Sequence, residues 1–403
     1  MASSLERRAA AARLARMMRR PFPLVLVPAA YLTLAFANPF GGLPSMSYAD
    51  DASPAVSQKE SAPPAKAPAK SKENAKGSKA EKPPADPSGF KYGRKEPLPK
   101  KPGTVRLAAY NLENLFDDQD DPALSGEFED KTMTTPPERL AALAATIKAL
   151  DADVLAVEEV ESKECLTAFR DHYLKGLGYD YLASVDAGDR RGIEQSVLSR
   201  YPIVEVANWP SEHIDDMRAK ETGEGWSTPA DGKWPERWAR SPLMVRVKSP
   251  QGYELTLFVV HHKASKEFDA QRELEGLQVL EFVRERLAKH PDENLAILGD
   301  FNNSPSKKSI KVYAESSDPK LTNAYDDRFD KKAPSDTYLT HASGRPIAFI
   351  FMSPGLAKDA VPGTFFVLGT PIGAKADSPK PKGYASDHFP VAIDLTPDAK
   401  AAR

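Results

Sequence analysis

Five small groups of polar residues stand where apolar runs of this chain end: Asn111 with Glu113, Glu159, His261 with His262, Asp300 with Asn302, and Asp387 with His388. Taken singly, each has a structural explanation. An Asn or Asp at a strand end is most often a turn residue, and a lone His is most often held by partners in the fold. Five such groups in succession point to a shared site. Their types suit hydrolysis of a phosphoester, which needs a hard cation to offset charge on the phosphoryl oxygens, an activated water, and donors aimed at the charge that develops. Carboxylates such as Glu159 and Glu113 match Mg²⁺, which prefers oxygen ligands. Asn111 and Asn302 can donate to phosphate without adding negative charge, and His262 and His388 can donate or move a proton near neutral pH.

Residues so distant in sequence meet only if a layered scaffold presents them. Val105 to Asn111 reads as the first strand, and Asp153 to Val160, Gln195 to Ser199, Leu243 to Val247, Leu255 to His262, Leu295 to Phe301, Ile347 to Met352 and Val391 to Leu395 as others. A helix is expected from Thr135, where Thr-Pro-Pro-Glu has the spacing of a capping box. Its Leu140, Leu143, Ala144, Ile147 and Leu150 share one face, so it packs on a sheet. Strands alternating with such helices give a layered α/β domain. Between Val206 and Ser241 a polar, turn-rich insertion carries all four tryptophans, Trp209, Trp226, Trp234 and Trp238. They serve either as a platform for a sugar or base, with Trp226 and Trp234 as substrate contacts, or as pins for a long loop.

The chain before this domain reads differently. An Arg-rich, acid-poor start is followed by an apolar run of 16 residues, Phe22 to Ala37, and by two small-x-small sites ending at Ala37 and Ala49. This is the pattern of an export signal, with an uncleaved anchor or an organelle presequence as rivals. The run falls short of the roughly 20 residues that span a membrane comfortably, and Pro23 and Pro28 weaken it further. The boundaries expected are therefore 1–49 signal peptide or N-terminal anchor, 50–103 disordered Pro/Ala/Lys-rich linker, 104–396 catalytic domain and 397–403 C-terminal tail. Residues 1–103 carry net +10 and residues 104–403 net −12. The basic linker can act as a solvated spacer or touch an anionic envelope polymer. The acidic domain does not favour tight, sequence-independent polyanion binding, which depends on Lys and Arg displacing counterions. The one cysteine, Cys165, has no partner in the sequence for an intramolecular disulfide and is expected half-buried in a helix.

The segments AYNLENLFD (109–117), DVLAVEEV (153–160), VLSRYP (197–202), VVHHKAS (259–265), GDFNNSP (299–305) and SDHFP (386–390) resemble, in order, the motifs of the endonuclease/exonuclease/phosphatase superfamily, closest to bacterial exported members. The resemblance implies a DNase I-like, four-layer αββα sandwich and a Mg²⁺- or Mn²⁺-dependent phosphoesterase. It makes Glu159 the principal metal ligand, with Asn111, Glu113 and Asp387 around the ion. Asp300 would handle the attacking water, Asn302 and His262 would hold the phosphate, with Asn111 beside them, and His388 would contact it or act as acid/base. The implied substrate is a phosphodiester, nucleic acid among the candidates, with no obligate protein partner. The alternatives are a phosphomonoesterase, a phospholipase acting on headgroups, and a binding protein with impaired turnover. Two positions depart from the pattern. Ala348 stands where the family has an Asp that braces the last His, and Glu158 stands where it has Gln, which is expected to add charge beside the ion.

Overall fold

The computed structural model describes residues 89–119, 133–220, 226–229, 231–325, 335–373 and 379–397. The expected export segment, residues 50–88 of the expected linker and residues 398–403 of the tail lie outside the described residues. In chain order the strands are β1 (Val105–Leu115), β2 (Val154–Val160), β3 (Tyr181–Ser184), β4 (Glu194–Ser199), β5 (Ile203–Asn208), β6 (Leu243–Lys248), β7 (Glu254–His261), β8 (Leu295–Asp300), β9 (Thr322–Asn323), β10 (Ala348–Met352), β11 (Phe366–Val367) and β12 (Val391–Leu395). The α-helices are α1 (Pro137–Leu150), α2 (Lys163–Tyr173), α3 (Asp269–Lys289), α4 (Lys308–Ala314) and α5 (Pro354–Asp359). The strands form two sheets, ordered β11-β12-β1-β2-β4-β3 and β5-β6-β7-β8-β10-β9. Each is antiparallel except at its centre, where β1 runs parallel to β2 and β7 parallel to β8. The C-terminal ends of each parallel pair therefore lie side by side.

Period-2 alternation divides the interior into three cores. Leu107, Ala109, Val154 and Ala156 meet Leu255, Leu257, Val259 and Leu298 between the sheets. The intervening Ala108, Tyr110, Leu155 and Val157 pack under α1 and α2, while Phe258, Val260 and Ile297 pack under α3 and α4. The result is the expected αββα sandwich. Leu143, Ile147 and Leu150 of α1 are fully buried, and each such side chain contributes roughly 1.5–3 kcal/mol. The capping expectation fails in detail. The residue before α1 is Pro136, without a side-chain cap, because the Thr135 hydroxyl is engaged elsewhere, accepting from the Phe116 N–H at 3.0 Å. Arg139, in the first turn, instead donates to the carbonyls of Leu112 and Glu113, both at 2.9 Å, and so anchors the loop that leaves β1. Cys165 lies in α2 as expected, but buried rather than half-buried.

Residues 89–103, expected as the end of a disordered linker, are docked on the domain. Arg94 exchanges backbone hydrogen bonds with Val367 and Gly369, and Ile372 donates to Gly89. The Leu98 carbonyl accepts from Arg106 at 2.9 Å, and Lys100 pairs with Asp153 at 2.5 Å. Arg106 is itself locked by a two-pronged bond to Asp394, at 2.7 and 3.1 Å, with both residues almost fully buried. A Pro- and Lys-rich stretch has no periodicity of its own; partners supplied by the folded sheet order it. Among the described residues no helix is long and apolar enough to cross a membrane.

Candidate active site

The inward parity that runs through Leu107 and Ala109 ends on Asn111, that through Leu255, Leu257 and Val259 ends on His261, and that through Ala296 and Leu298 ends on Asp300. Three strands thus aim a polar side chain at the same inter-sheet edge. On β2 the parity arrives at Glu158, and a bulge adds Glu159. The pairing with β4 skips it, and its φ of 61° is left-handed. Glu113 and Asn302 also have positive φ, 53° and 52°. Such strain persists only where surrounding structure holds it, and it gathers at working sites.

The Asn111 amide nitrogen joins the two sheets, donating to Glu159 Oε1 and to Asp300 Oδ2, both at 3.2 Å. Asn302 donates to Asp300 from its backbone at 2.8 Å and from its side chain at 3.0 Å, and also to the His262 carbonyl. Its amide therefore orients Asp300. His261 Nε2 lies 3.6 Å from both Glu159 Oε1 and Asp300 Oδ2, and His388 Nε2 lies 3.7 Å from Asp300 Oδ2. Burial, then the cationic Arg240 and Arg191, pushes the His261 pKa well down. At the rim, Glu113 accepts from the Asp387 N–H at 3.0 Å and from the Tyr384 hydroxyl. Asp387 lies 3.3 Å from His341 Nε2. Burial alone would raise Asp387; the His341 hydrogen bond and the charges of His388, His341 and Lys380 outweigh it and hold the carboxyl at about 2.

Several expectations are corrected. His262 does not face the cluster: one residue out of parity from His261, it points to the helical layer, with Nδ1 3.0 Å from Glu275 and Nε2 2.9 Å from the Tyr313 hydroxyl. Both ring nitrogens are engaged, so the residue braces the fold. Trp226 and Trp234 do not form a platform there either. They pack on the outer core, with Lys308 over the Trp226 ring at 4.7 Å and Arg218 over Trp234 at 5.5 Å. Trp209 stacks on Phe282 at 4.5 Å, so the tryptophans pin the insertion. An open hollow of about 650 Å³ beside Trp234 is lined by none of the cluster residues. Glu158 was expected to add charge beside the ion; complete burial, then the charges of Asp300 and Glu159, push its pKa well up and oppose that charge. In its protonated form the carboxyl is close in shape to a glutamine amide. Gly299 permits this packing, since a Cβ there would stand 2.2 Å from the Val260 carbonyl and 2.8 Å from Glu158 Oε1.

Residues that chemistry-first reading passed over complete the cluster. Arg191 donates to Asn114 and lies 3.4 Å from Glu159 Oε2, bringing a cation to its edge. His341 packs its ring against His388, centroids 4.6 Å apart. Parity counting along β7 identifies His261; no local signal in the sequence marks Arg191 or His341.

A family model, described as the endonuclease/exonuclease/phosphatase family, matches residues 106–338, more than half of the chain. The chain belongs to that family. Its members generally use divalent metals and hydrolyse phosphoesters. Solved structures to which this endonuclease/exonuclease/phosphatase protein is similar include the human nocturnin catalytic domain with a bound sulfate anion (18% identity, 73% of this chain and 95% of that one, TM-score 0.48). Others are a family protein from Bacteroides thetaiotaomicron (19%, 73% and 98%, 0.47) and that organism's mannosyl-6-phosphatase (19%, 72% and 99%, 0.46). No curated protein matches the chain.

Proposed function

We propose that this protein is a Mg²⁺- or Mn²⁺-dependent hydrolase of phosphodiesters, acting outside the cytoplasm. The observation that carries the reading is the convergence of Asn111, Glu159, His261, Asp300 and His388 at one edge between two sheets. The donor set fits a hard divalent cation. Glu159 and Asp300 share one amide donor, Glu113 and Asp387 stand at the rim, and Arg191 and Lys380 pair with the carboxylates of Glu159 and Glu113. Glu159 with Asn111 would hold the ion, helped by Glu113 and Asp387. When bound, it supplies neutralisation of the phosphoryl oxygens and a more acidic water.

The protein's own groups do the rest. Asp300, oriented by Asn111 and Asn302, accepts a proton from the attacking water. His261 and Arg191 donate to the phosphate. His388 hands a proton to the leaving oxygen. The acidic character of residues 104–403 favours compact phosphoesters over long polyanions, so a phosphomonoester is the second reading. The test is a panel of DNA, RNA, sphingomyelin, an inositol phosphate and a chromogenic phosphodiester, each with Mg²⁺, Mn²⁺ or EDTA. Turnover of a diester that EDTA abolishes supports the proposal, and turnover of monoesters alone replaces it with the second reading. Silence throughout, with divalent binding intact, favours a binding protein. Export rests on the N-terminal sequence pattern; a chain retained in the cytoplasm with its N-terminus uncut would refute it.

A further inference from the structure

We propose that His341 is a positioning residue of this site, holding Asp387 and His388 in the arrangement that phosphoester hydrolysis uses; the assignment rests on the hydrolase reading above. The partners of His341 fix its tautomer. Its Nδ1 receives the Ser343 backbone N–H at 3.0 Å and faces the Ser343 hydroxyl at 2.7 Å. That hydroxyl oxygen already accepts from Arg345 at 3.0 Å, so its proton is free to turn toward the ring. A ring nitrogen that accepts carries a lone pair, and the neutral imidazole then keeps its proton on the other nitrogen. Nε2–H is thus the donor to Asp387 Oδ2 at 3.3 Å. This tautomer also makes His341 a poor metal ligand through Nε2, although His341, Asp387 and His388 are close enough together to surround an ion.

The backbone keeps the ring in register. Ala342 donates to the Asp387 carbonyl at 2.7 Å and Phe389 to the Thr340 carbonyl at 2.8 Å, so the segments around 341 and 388 pair like short antiparallel strands. The turn behind is backed by the docked N-terminal arm: a Cβ on Gly344 would stand 2.9 Å from the Tyr92 hydroxyl, and the Tyr92 ring packs on Phe389.

His388 needs this support. Its Nδ1 is buried with no hydrogen-bond partner among the described residues, and the β10 position facing Asp300 offers only the methyl of Ala348. What remains to orient the ring is the His341 ring, inclined at 73° to it, and the approach of its Nε2 to Asp300 and to Asp387 Oδ1, the latter at 3.8 Å. With Oδ2 held by His341, Oδ1 of Asp387 is the oxygen turned to His388.

The experiment compares wild type, His341→Gln and His341→Leu by steady-state kinetics on the phosphoester the protein turns over, with melting curves to establish folding. A glutamine amide reaches the place of Nε2–H and donates; leucine fills the space and does not. The Leu variant should lose about 10–100-fold in kcat, the usual effect of removing a group that orients a working one, with KM nearly unchanged, and the Gln variant should recover most of that loss. Equal loss in both folded variants, or none in either, overturns the proposal. Long-range proton–nitrogen NMR on the wild type reads the tautomer without any substrate. An unprotonated Nδ1 supports the assignment, and a protonated one sinks it whatever the turnover. A wild type silent on every phosphoester, with Nδ1 unprotonated, sinks the hydrolase reading and leaves the structural placement of His341 standing.

Discussion

Replacing Ala348 by asparagine should raise turnover, and replacing it by aspartate should raise it less or not at all. Ala348 lies directly opposite Asp300 in the β8/β10 register and is 7% exposed, so a side chain there enters the site rather than solvent. The resemblance implies a brace for the last histidine at this position, and among the described residues His388 Nδ1 has no hydrogen-bond partner. A buried polar atom left unmade forfeits about 1–3 kcal/mol. If half of that is recovered when His388 is aligned for reaction, the gain is about 1 kcal/mol, or about fivefold in kcat. Asparagine supplies an acceptor or a donor without charge. Aspartate supplies a stronger acceptor but sets a carboxylate about 5 Å from that of Asp300, the spacing of opposed residues on a sheet. At an effective dielectric constant of about 20 their repulsion is about 3 kcal/mol, enough to cancel the gain unless a cation stands between them. Filling the position should also lower stability by about 1–3 kcal/mol through crowding. Wild type, Ala348→Asn, Ala348→Asp and the steric control Ala348→Val would be compared by kcat on a chromogenic phosphodiester and by thermal melting. A folded Asn variant no faster than the Val control would refute the reasoning and show that His388 needs no further brace.

Four other outcomes are expected. Glu159→Gln should weaken Mg²⁺ or Mn²⁺ binding in calorimetry, while Asp300→Asn should keep binding yet lose about 10²–10⁴-fold in kcat, the usual scale of proton-transfer catalysis; a fast Asp300→Asn enzyme would exclude Asp300 as the base. His261→Ala should cut turnover with little change in urea stability, whereas His262→Ala strands buried Glu275 and the Tyr313 hydroxyl and should cost about 3–5 kcal/mol, and the opposite pattern would restore His262 to the site. Glu158 has a raised folded pKa, so the folded state binds its proton more tightly than the unfolded chain does. Stability from this group is therefore present below the ordinary Glu pKa and falls as pH rises toward the folded value. Glu158→Gln should flatten that decline in EDTA-treated protein, and an unchanged pH profile would mean Glu158 is ionised in the fold. Removal of residues 1–88 should leave melting and kcat unchanged, but removal of 1–103 strips the contacts of Arg94, Leu98 and Lys100 and should lower both; equal melting of the two truncations would show the arm is dispensable.

What the amino-acid sequence determined by itself is whatever local periodicity records. Runs such as Leu255 to Val260 and Leu295 to Leu298 alternate between two cores, and that pattern implies strands, layers and the family's sandwich. The same parity already distinguishes His261 from His262, although a choice made on chemistry alone falls on the wrong one. Helix α3 was less legible, because its buried face carries Arg272, Glu273 and Glu275, which reach the Lys263 and Ser265 carbonyls, Ser227, and Ala239 with His262 outside the helix. Only the tertiary structure decided that Glu159 joins the site, since strict alternation assigns the inward direction to Glu158 alone and a bulge against β4 adds Glu159 to it. It alone joined Asn111 to Asp300 across 189 residues of sequence and His341 to Asp387 and His388. It also ordered residues 89–103, whose partners belong to Arg106, Asp153 and the β11 edge. A strand's faces are written in its own residues; which side chains meet at its end depends on register, bulges and left-handed turns set by pairing with distant chain, and no local window contains that information.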